Sequence, residues 1–453
     1  MMLRYQTNTS GEYAKAKECF KKALEIQQKS LGPEHVDVAT TLNKLGRVYY
    51  ETIKYDKAKD CYKKALEIRK KSLGREHVEV ATTLNNLGRV YYETNKYAKA
   101  KECYEKALES QQKSLGPEHV EVATTLNKLS RLYYETKKYD KAKECYEKVL
   151  EIQQKSLGPE HVDVAMTLND LGGAYYETNK YDKAKECYEK TLEIQKKLLG
   201  PKHVEVAMTL NNLGRVYYET NKYDNAKECY EKVLEIKQKS LGPEHVDVAM
   251  TLNDLGGAYY ETNKYDKAKE CYEKALEIRQ KSLGPEHVDV ATTLNYLGYL
   301  NLCTKEYDKA EEFHNKALEI QQKSLGPEHV DVAKTSNKLG RVYYETNIYD
   351  KAEKCYEKAL EIQQKSLGPE HVDVATTLNH IGSLNLCTKE YDKAKELFEK
   401  ALEIRQKLLG PEHVEVATTF NYLGEMYYYT KEYEKAKEFY EKALETQQKS
   451  LGP

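Results

Sequence analysis

The sequence predicts an all-α protein, a solenoid built from antiparallel helix pairs. Nearly the same 42-residue segment recurs along the 453 residues. Apolar residues in each segment follow two helical stripes, and a Gly-Pro pair separates most segments. A fixed period of this size is typical of arrays in which each unit packs only on its neighbours. Such an array lets a chain too long for one compact core bury its apolar residues.

The clearest marker of the period is a tyrosine that returns every 42 residues. It stands at Tyr13, Tyr55, Tyr97, Tyr139, Tyr181, Tyr223, Tyr265, Tyr307, Tyr349, Tyr391 and Tyr433. If a unit begins at Glu34, residues 34–453 are predicted to form ten full repeats. Residues 1–33 are predicted to form a partial repeat, mostly its second helix.

The first half of each unit is predicted to be an amphipathic helix. In residues 35–51 the apolar positions are spaced three and four apart, at Val38, Ala39, Leu42, Leu45, Gly46 and Tyr49. Proline and acidic residues near the start suit a helix N-terminus. The histidine that recurs there, as His35 and His77, occurs once per unit. That is too sparse for a shared metal, and we expect a structural role.

The second half of each unit is also predicted to be helical, after a short polar turn such as residues 94–96. Its apolar stripe in one copy is Tyr55, Ala58, Cys61, Tyr62, Ala65, Leu66 and Ile68. Glycine followed by proline predicts where this helix ends. The same pair excludes one long coiled coil, because a proline inside a helix costs about 3 kcal/mol.

The composition argues against several classes of function. Lys+Arg number 72 and Asp+Glu 73, and this balance disfavours nucleic acid as a partner. The mean hydropathy of -0.82, without a long apolar run, disfavours a membrane span. With no signal-peptide core at the N-terminus, we expect a cytoplasmic protein. Eight of the ten cysteines share one position where other copies hold Phe or Leu, which indicates packing. No catalytic motif is found, and we expect no enzyme activity, no cofactor and no metal.

Spacing within a unit resembles the tetratricopeptide pattern. The matching residues are Leu42-x-x-Leu45-Gly46-x-x-Tyr49, then Tyr55, then Ala58-x-x-x-Tyr62-x-x-Ala65. The second helix continues to Gly74, which lengthens the usual period of about 34 residues. This long form resembles the repeats of kinesin light chains and of nephrocystin-3-like proteins. The sequence departs from that pattern at Val36, where the family has proline, and it has no match to the heptad segment that binds the motor heavy chain.

The resemblance implies a superhelix whose first helices line a concave groove for extended peptides. A polar stripe on the first helix would face that groove: asparagine in every full repeat, then a variable position, then usually tyrosine. The candidate groove residues are Asn43, Arg47, Tyr50, Asn85, Arg89, Tyr92, Asn127, Lys128, Arg131, Tyr134, Asn169, Asn211, Arg215, Asn253, Asn295, Asn337, Arg341, Asn379 and Asn421. Amides can grip a peptide backbone and cations can bind acidic side chains. Alternatively, the asparagines bridge adjacent helices, the arginines are solvated and the tyrosines pack.

These features predict a protein-binding scaffold, a cargo adaptor of the kinesin-light-chain type in the cytoplasm or on the cytoskeleton. Its expected partners are proteins or extended peptides with acidic segments and, by resemblance, kinesin heavy chain, without nucleic acid or membrane. The alternative is a sensor or oligomerisation array of a larger signalling protein with a nucleotide-binding domain. It is motivated by the incomplete first unit and the lack of a polar cap after Pro453. In two copies, Leu302 and Leu386 replace the stripe tyrosine, and drift, a bend or an apolar pocket could explain them.

Overall fold

The structure is a computed structural model that describes the backbone of residues 2–451 and the side chains of residues 12–449. The described residues form 21 helices and no strand. They are α1 (Met2–Leu31), α2 (Val36–Glu51), α3 (Tyr55–Leu73), α4 (Val78–Glu93), α5 (Tyr97–Leu115), α6 (Val120–Glu135), α7 (Tyr139–Leu157), α8 (Val162–Tyr176), α9 (Tyr181–Leu199), α10 (Val204–Glu219), α11 (Tyr223–Leu241), α12 (Val246–Glu261), α13 (Tyr265–Leu283), α14 (Val288–Cys303), α15 (Tyr307–Leu325), α16 (Val330–Glu345), α17 (Tyr349–Leu367), α18 (Val372–Cys387), α19 (Tyr391–Leu409), α20 (Val414–Tyr429) and α21 (Tyr433–Leu451). The predicted partial and last repeats also include residues 1, 452 and 453, which lie outside the described residues.

The chain divides into two units, residues 1–229 and residues 230–453, and each is described by itself. Within each unit a first helix such as α2, of 16 residues, alternates with a second helix such as α3, of 19 residues. A first helix packs on the second helices before and after it, as α4 does on α3 and α5. The predicted all-α solenoid of helix pairs with a 42-residue period is confirmed.

The recurring histidine caps the first helix of each pair. The Nδ1 atom of His35 accepts a hydrogen bond from the backbone N–H of Asp37 at 3.2 Å. His77 caps α4 in the same way, through the N–H of Glu79. A capping side chain satisfies a backbone N–H that has no partner inside the helix. The histidine therefore has the structural role that the sequence predicts, through a contact that the sequence did not reveal.

Backbone conformations with positive φ end both helices of a pair. After the second helix, Gly74 has φ 85° and ψ 163°, a region that is essentially restricted to glycine. In the turn after the first helix, Asn95 has φ 55°, which asparagine tolerates well. The equivalent residue Ile53 has φ 59°, an unfavourable conformation for a β-branched side chain. The chain thus contains one turn that is strained compared with its neighbours.

The two helices of a pair approach closely at the glycine of the first helix. A Cβ added to Gly46 would lie 2.7 Å from Cε1 of Tyr62, so the absence of a side chain allows the ring to pack there. Ala58 and Ala65 of the partner helix are fully buried, as expected for close packing. The position that eight cysteines share holds phenylalanine or leucine in the other copies. Cys61, at this position, is buried.

Candidate functional site

The candidate residues lie on the first helices of the pairs. Beside the asparagine, the variable position and the tyrosine, a fourth position follows directly after the asparagine. We call it the flanking position. Along the chain it holds Lys44, Asn86, Lys128, Asp170, Asn212, Asp254, Tyr296, Lys338, His380 and Tyr422.

Aromatic residues at the flanking position pack on the second helix of the preceding pair. Tyr296 stacks on the buried ring of Tyr272, with ring centroids 5.4 Å apart. Tyr422 stacks on Phe398 at the same distance, 5.4 Å. Both partners belong to the second helix of the preceding pair. The charged residues at this position differ in exposure, since Lys44 is exposed and Lys128 and Asp170 are half-buried.

Five of the asparagines are buried between neighbouring pairs: Asn85, Asn253, Asn295, Asn337 and Asn379. Each donates its amide to a threonine 40 residues later, on the next first helix. For Asn85 the acceptor is the hydroxyl of Thr125 at 2.7 Å, and that hydroxyl donates to Gln111 at 2.6 Å. This placement matches the alternative in which the asparagines bridge adjacent helices. Ligand contact by these five residues stays a prediction.

The other asparagines are half-buried: Asn43, Asn127, Asn169, Asn211 and Asn421. Asn86 donates to Asn43 at 3.1 Å, and Asn212 donates to Asn169 at 3.3 Å. The side-chain oxygen of Asn127 is buried without a hydrogen-bond partner. These residues are more exposed as a whole than the bridging ones, although the oxygens of Asn127 and Asn211 are buried. Their contact with a ligand also stays a prediction.

Arginine, tyrosine and glutamate form a recurring cluster across two first helices. The guanidinium of Arg89 lies 4.4 Å from the ring centroid of Tyr50. The Tyr50 hydroxyl donates to Glu93 at 3.0 Å. Arg215 lies on the ring of Tyr176 in the same way, at 4.6 Å. A cation held over an aromatic face is oriented before any ligand arrives.

The remaining candidate arginines and tyrosines differ in exposure. Arg47, Arg131 and Arg341 are exposed, and Arg341 lies 5.9 Å from the ring centroid of Tyr299. Tyr92 and Tyr134 are half-buried. Burial raises the pKa of Tyr134 to about 12, so its hydroxyl stays protonated at neutral pH.

A cavity of about 320 Å³ opens between α4 and α6, and we call it the Lys128 cavity. It is lined by Tyr50, Arg89, Tyr92, Glu93, Tyr104, Lys128 and Arg131, that is, three cations and one carboxylate. Burial and the nearby Arg89 lower the pKa of Lys128 to about 8. Like charges and lost hydration both disfavour its ammonium, so an incoming carboxylate would stabilise the site.

A second cavity, of about 220 Å³, lies one pair further along, and we call it the Asp170 cavity. Its lining is Arg131, Tyr134, Glu135, Tyr146, Asn169, Asp170, Gly173, Tyr176, Glu177, Tyr188, Asn212 and Arg215, that is, two cations and three carboxylates. The variable position is Gly173 here, so no side chain from this position extends into the cavity. Arg131 lines both cavities.

In the two unusual copies a cysteine replaces the glutamate of the cluster. The Tyr260 hydroxyl lies 3.0 Å from Sγ of Cys303, and the Tyr344 hydroxyl lies 3.2 Å from Sγ of Cys387. Leu302, which replaces the stripe tyrosine, is buried. Their helices α14 and α18 keep the 16-residue length of the other first helices. The substitutions thus change the polarity of the face without changing the length of the helix.

The threonine that accepts a hydrogen bond from each bridging asparagine was not among the residues predicted from the sequence. Thr125 and its equivalents occur once per unit, 14 residues after a glutamine, lysine or arginine that bonds to them. This pairing of a buried hydroxyl with a long polar side chain was visible as a repeated spacing. What the sequence could not show is that both side chains point into the junction between pairs.

The family model described as tetratricopeptide repeat matches the chain almost from end to end. The matches cover residues 8–71, 54–113, 79–155, 121–197, 180–239, 205–281, 247–323, 289–365, 349–407 and 373–449. The chain belongs to the tetratricopeptide repeat family. Among curated proteins, the search found no match.

Solved structures similar to these tetratricopeptide repeats include kinesin-light-chain-like proteins. BtubC (BKLC) from P. vanneervenii is 25% identical, over 51% of this chain and 92% of its own, with a TM-score of 0.44. A putative kinesin light chain of Podosopora anserina with nearly identical TPR-like repeats is 28% identical, over 46% and 98%, with a TM-score of 0.42. The apo form of RapI is 19% identical, over 63% and 98%, with a TM-score of 0.52, a likeness that shows the fold alone.

Proposed function

We propose that the Lys128 cavity and the first-helix face around it bind acidic side chains of extended peptides. Tetratricopeptide repeats generally bind proteins or peptides, which makes an interaction scaffold the function that the fold supports. The observation that carries the finer proposal is that half-buried Lys128 lines one cavity together with Arg89 and Arg131. A carboxylate there would form charge-assisted hydrogen bonds and relieve the repulsion among the cations.

The structure also suggests which candidate residues contribute to affinity. Arg89 is oriented by the ring of Tyr50, and Arg131 is exposed at the cavity edge. Asn85 already donates to Thr125, so its main contribution in this proposal is to hold adjacent pairs in register.

Acetylated and amidated dodecapeptides of Ser, Ala and Thr with a central Glu-Glu or Gln-Gln pair test the proposal. We expect the Glu peptide to bind at least about tenfold more tightly, and Lys128→Met to remove most of that preference, because a half-buried charge pair is lost. Lys44→Met is the matched control, since Lys44 holds the same flanking position but is exposed. Equal binding of both peptides, or an unchanged preference in Lys128→Met, would contradict the proposal.

The wider role proposed for this face is that of a cargo adaptor similar to kinesin light chains, in the cytoplasm or on the cytoskeleton. Co-purification of motor heavy chain with the tagged protein would support it, and its absence under conditions that retain other partners would oppose it. A transcript encoding a nucleotide-binding domain in the same chain would instead favour the sensor or oligomerisation array. Among the described residues, none of the helices is both long and apolar enough to span a membrane.

A further inference from the structure

Two neighbouring cavities on one face have opposite charge balance. The Lys128 cavity has three cations and one carboxylate in its lining, whereas the Asp170 cavity has two cations and three carboxylates. The difference arises at two positions of the same helix, where α8 has Asp170 and Gly173 in place of Lys128 and Arg131 of α6. A ligand that crosses both cavities meets a cationic site and then an acidic one.

The space beside Gly173 in the Asp170 cavity lies next to two tyrosine hydroxyls. A Cβ added to Gly173 would lie 3.6 Å from the hydroxyl of Tyr134 and 3.8 Å from the hydroxyl of Tyr188. The equivalent residues of the two preceding first helices are Arg89 and Arg131. With glycine, the two hydroxyls and the Asp170 carboxylate face an opening that a long side chain from outside can enter.

The Asp170 carboxylate is not fully compensated by its surroundings. It is half-buried, and its pKa is raised because burial removes water, with Arg131 and a hydrogen bond from Asn169 opposing that effect only in part. Arg215 is held on the ring of Tyr176 at 4.6 Å. A second carboxylate in this cavity would add a like charge beside a poorly solvated one, whereas a cation would complete the pair.

We propose that the Asp170 cavity binds a lysine side chain of the same extended peptide whose acidic residue occupies the Lys128 cavity. The inference rests on the proposed function and deepens it, since it assigns the ligand two charges of opposite sign. A lysine ammonium is a compact charge with three donors, which matches the carboxylate and the two hydroxyls. Its flexible alkyl stem can pack on the tyrosine rings that line the cavity.

The distance between the cavities sets the spacing of the two charges in the ligand. Neighbouring first helices lie about 10 Å apart, and an extended peptide advances about 3.3 Å per residue. The acidic residue and the lysine are therefore about three residues apart in the ligand. The Lys128 cavity alone would also accept a uniformly acidic peptide. A preference for lysine at this spacing therefore distinguishes binding to both cavities from binding to the Lys128 cavity alone.

The test uses the Glu-Glu dodecapeptide with Lys, Gln or Glu placed two, three or four residues from the central pair, on either side. We expect the full chain to prefer Lys over Glu by about tenfold at one spacing near three, on one side only. Asp170→Asn should abolish this selectivity and keep the Lys128-dependent preference for Glu-Glu over Gln-Gln. Gly173→Arg should fill the cavity and make the selectivity favour Glu, and the helix accepts arginine at Arg89 and Arg131.

The outcomes separate the inference from the proposed function. If Glu-Glu peptides bind through Lys128 but Lys, Gln and Glu are equivalent at every spacing, the lysine site is refuted and the acid site stands. Lysine selectivity that persists in both Asp170→Asn and Gly173→Arg would also refute it. If no Glu-Glu peptide binds, both proposals fail. Circular dichroism of each variant, compared with the unsubstituted chain, identifies any loss that comes from unfolding.

Discussion

Replacing Thr125 with valine should loosen the junction between two helix pairs, because its hydroxyl makes two buried contacts at once. It accepts a hydrogen bond from Asn85 at 2.7 Å and donates one to Gln111 at 2.6 Å. Valine keeps the shape and removes both bonds. Each bond contributes about 1 kcal/mol, and leaving the buried Asn85 amide unpaired costs about 1–3 kcal/mol, so we expect a loss of about 2–4 kcal/mol.

The matched control is Thr124→Val in the same helix. Thr124 is exposed and bonds only to the Val120 carbonyl of its own helix at 3.1 Å. We expect its substitution to change stability by no more than about 0.5 kcal/mol. The two variants have the same change in composition and helix propensity, so their difference isolates the junction contacts.

Native-state hydrogen exchange is the appropriate assay, because repeat arrays open locally rather than as a whole. Amides of α4 and α6 should lose protection by about 30-fold or more in Thr125→Val, since 1.4 kcal/mol corresponds to tenfold. In the Thr125→Val background, Asn85→Ala should reduce amide protection less than it does in the unsubstituted chain, because Asn85 and Thr125 share one hydrogen bond. Equal protection in Thr125→Val and Thr124→Val would refute the junction role of Asn85.

Lys128, His314 and Ile53 each have a side chain whose substitution gives a measurable result. Affinity for the Glu-Glu peptide should fall as pH rises through about 8, where Lys128 loses its proton, and the fall should be absent in Lys128→Met. His314 is buried with its pKa lowered to about 3 from 6.5, so the unfolded state binds the proton first and stability falls as pH drops below 6.5. Relative to His314→Phe, the unsubstituted chain should lose about 2 kcal/mol between pH 6.5 and 5, measured by native-state hydrogen exchange with the two proteins compared at each pH. Ile53→Asn should stabilise the chain by about 1 kcal/mol in the same assay, because a β-branched residue with positive φ is replaced by one that tolerates it.

Each of these has a control within the chain. Lys44→Met should leave the pH profile of peptide binding unchanged, because Lys44 is exposed. Phenylalanine already occupies the position of His314 in another pair, as Phe398, which is fully buried. Asn95→Ile should destabilise by the amount that Ile53→Asn gains. The His314 prediction would be wrong if the stability of the unsubstituted chain did not change between pH 6.5 and 5. The turn prediction would be wrong if neither Ile53→Asn nor Asn95→Ile changed stability.

Most of the fold was predictable because the same local signals are repeated many times. The apolar spacing around Leu42 and Tyr62, and the glycine at the end of each second helix, depend only on neighbours a few residues away. Such signals act within one helix or one turn, where periodicity and backbone preference decide the structure. A single departure, such as Arg75 in place of the proline that follows the glycine in other copies, does not hide a signal that recurs along the chain. The predicted helix pairs therefore match the structure closely.

The roles of side chains between pairs could not be predicted in the same way. Asn85 and Asn127 hold equivalent positions in the sequence, yet Asn85 is buried and donates to a threonine of the next pair, whereas Asn127 is half-buried. Their difference depends on the residues that meet at each junction. Lys128 was among the residues predicted from the sequence and Asp170 was not, and the structure places them at cavities of opposite charge balance.

The sequence by itself determined the helix pairs, their period and the face that carries the variable residues, because these follow from local spacing. Tertiary structure decided which polar groups are already satisfied and which are open to a ligand. That distinction depends on burial and on partners 40 or more residues away, such as Thr125 for Asn85. It also depends on the space left by Gly173, which becomes a cavity only when the neighbouring helices are in place.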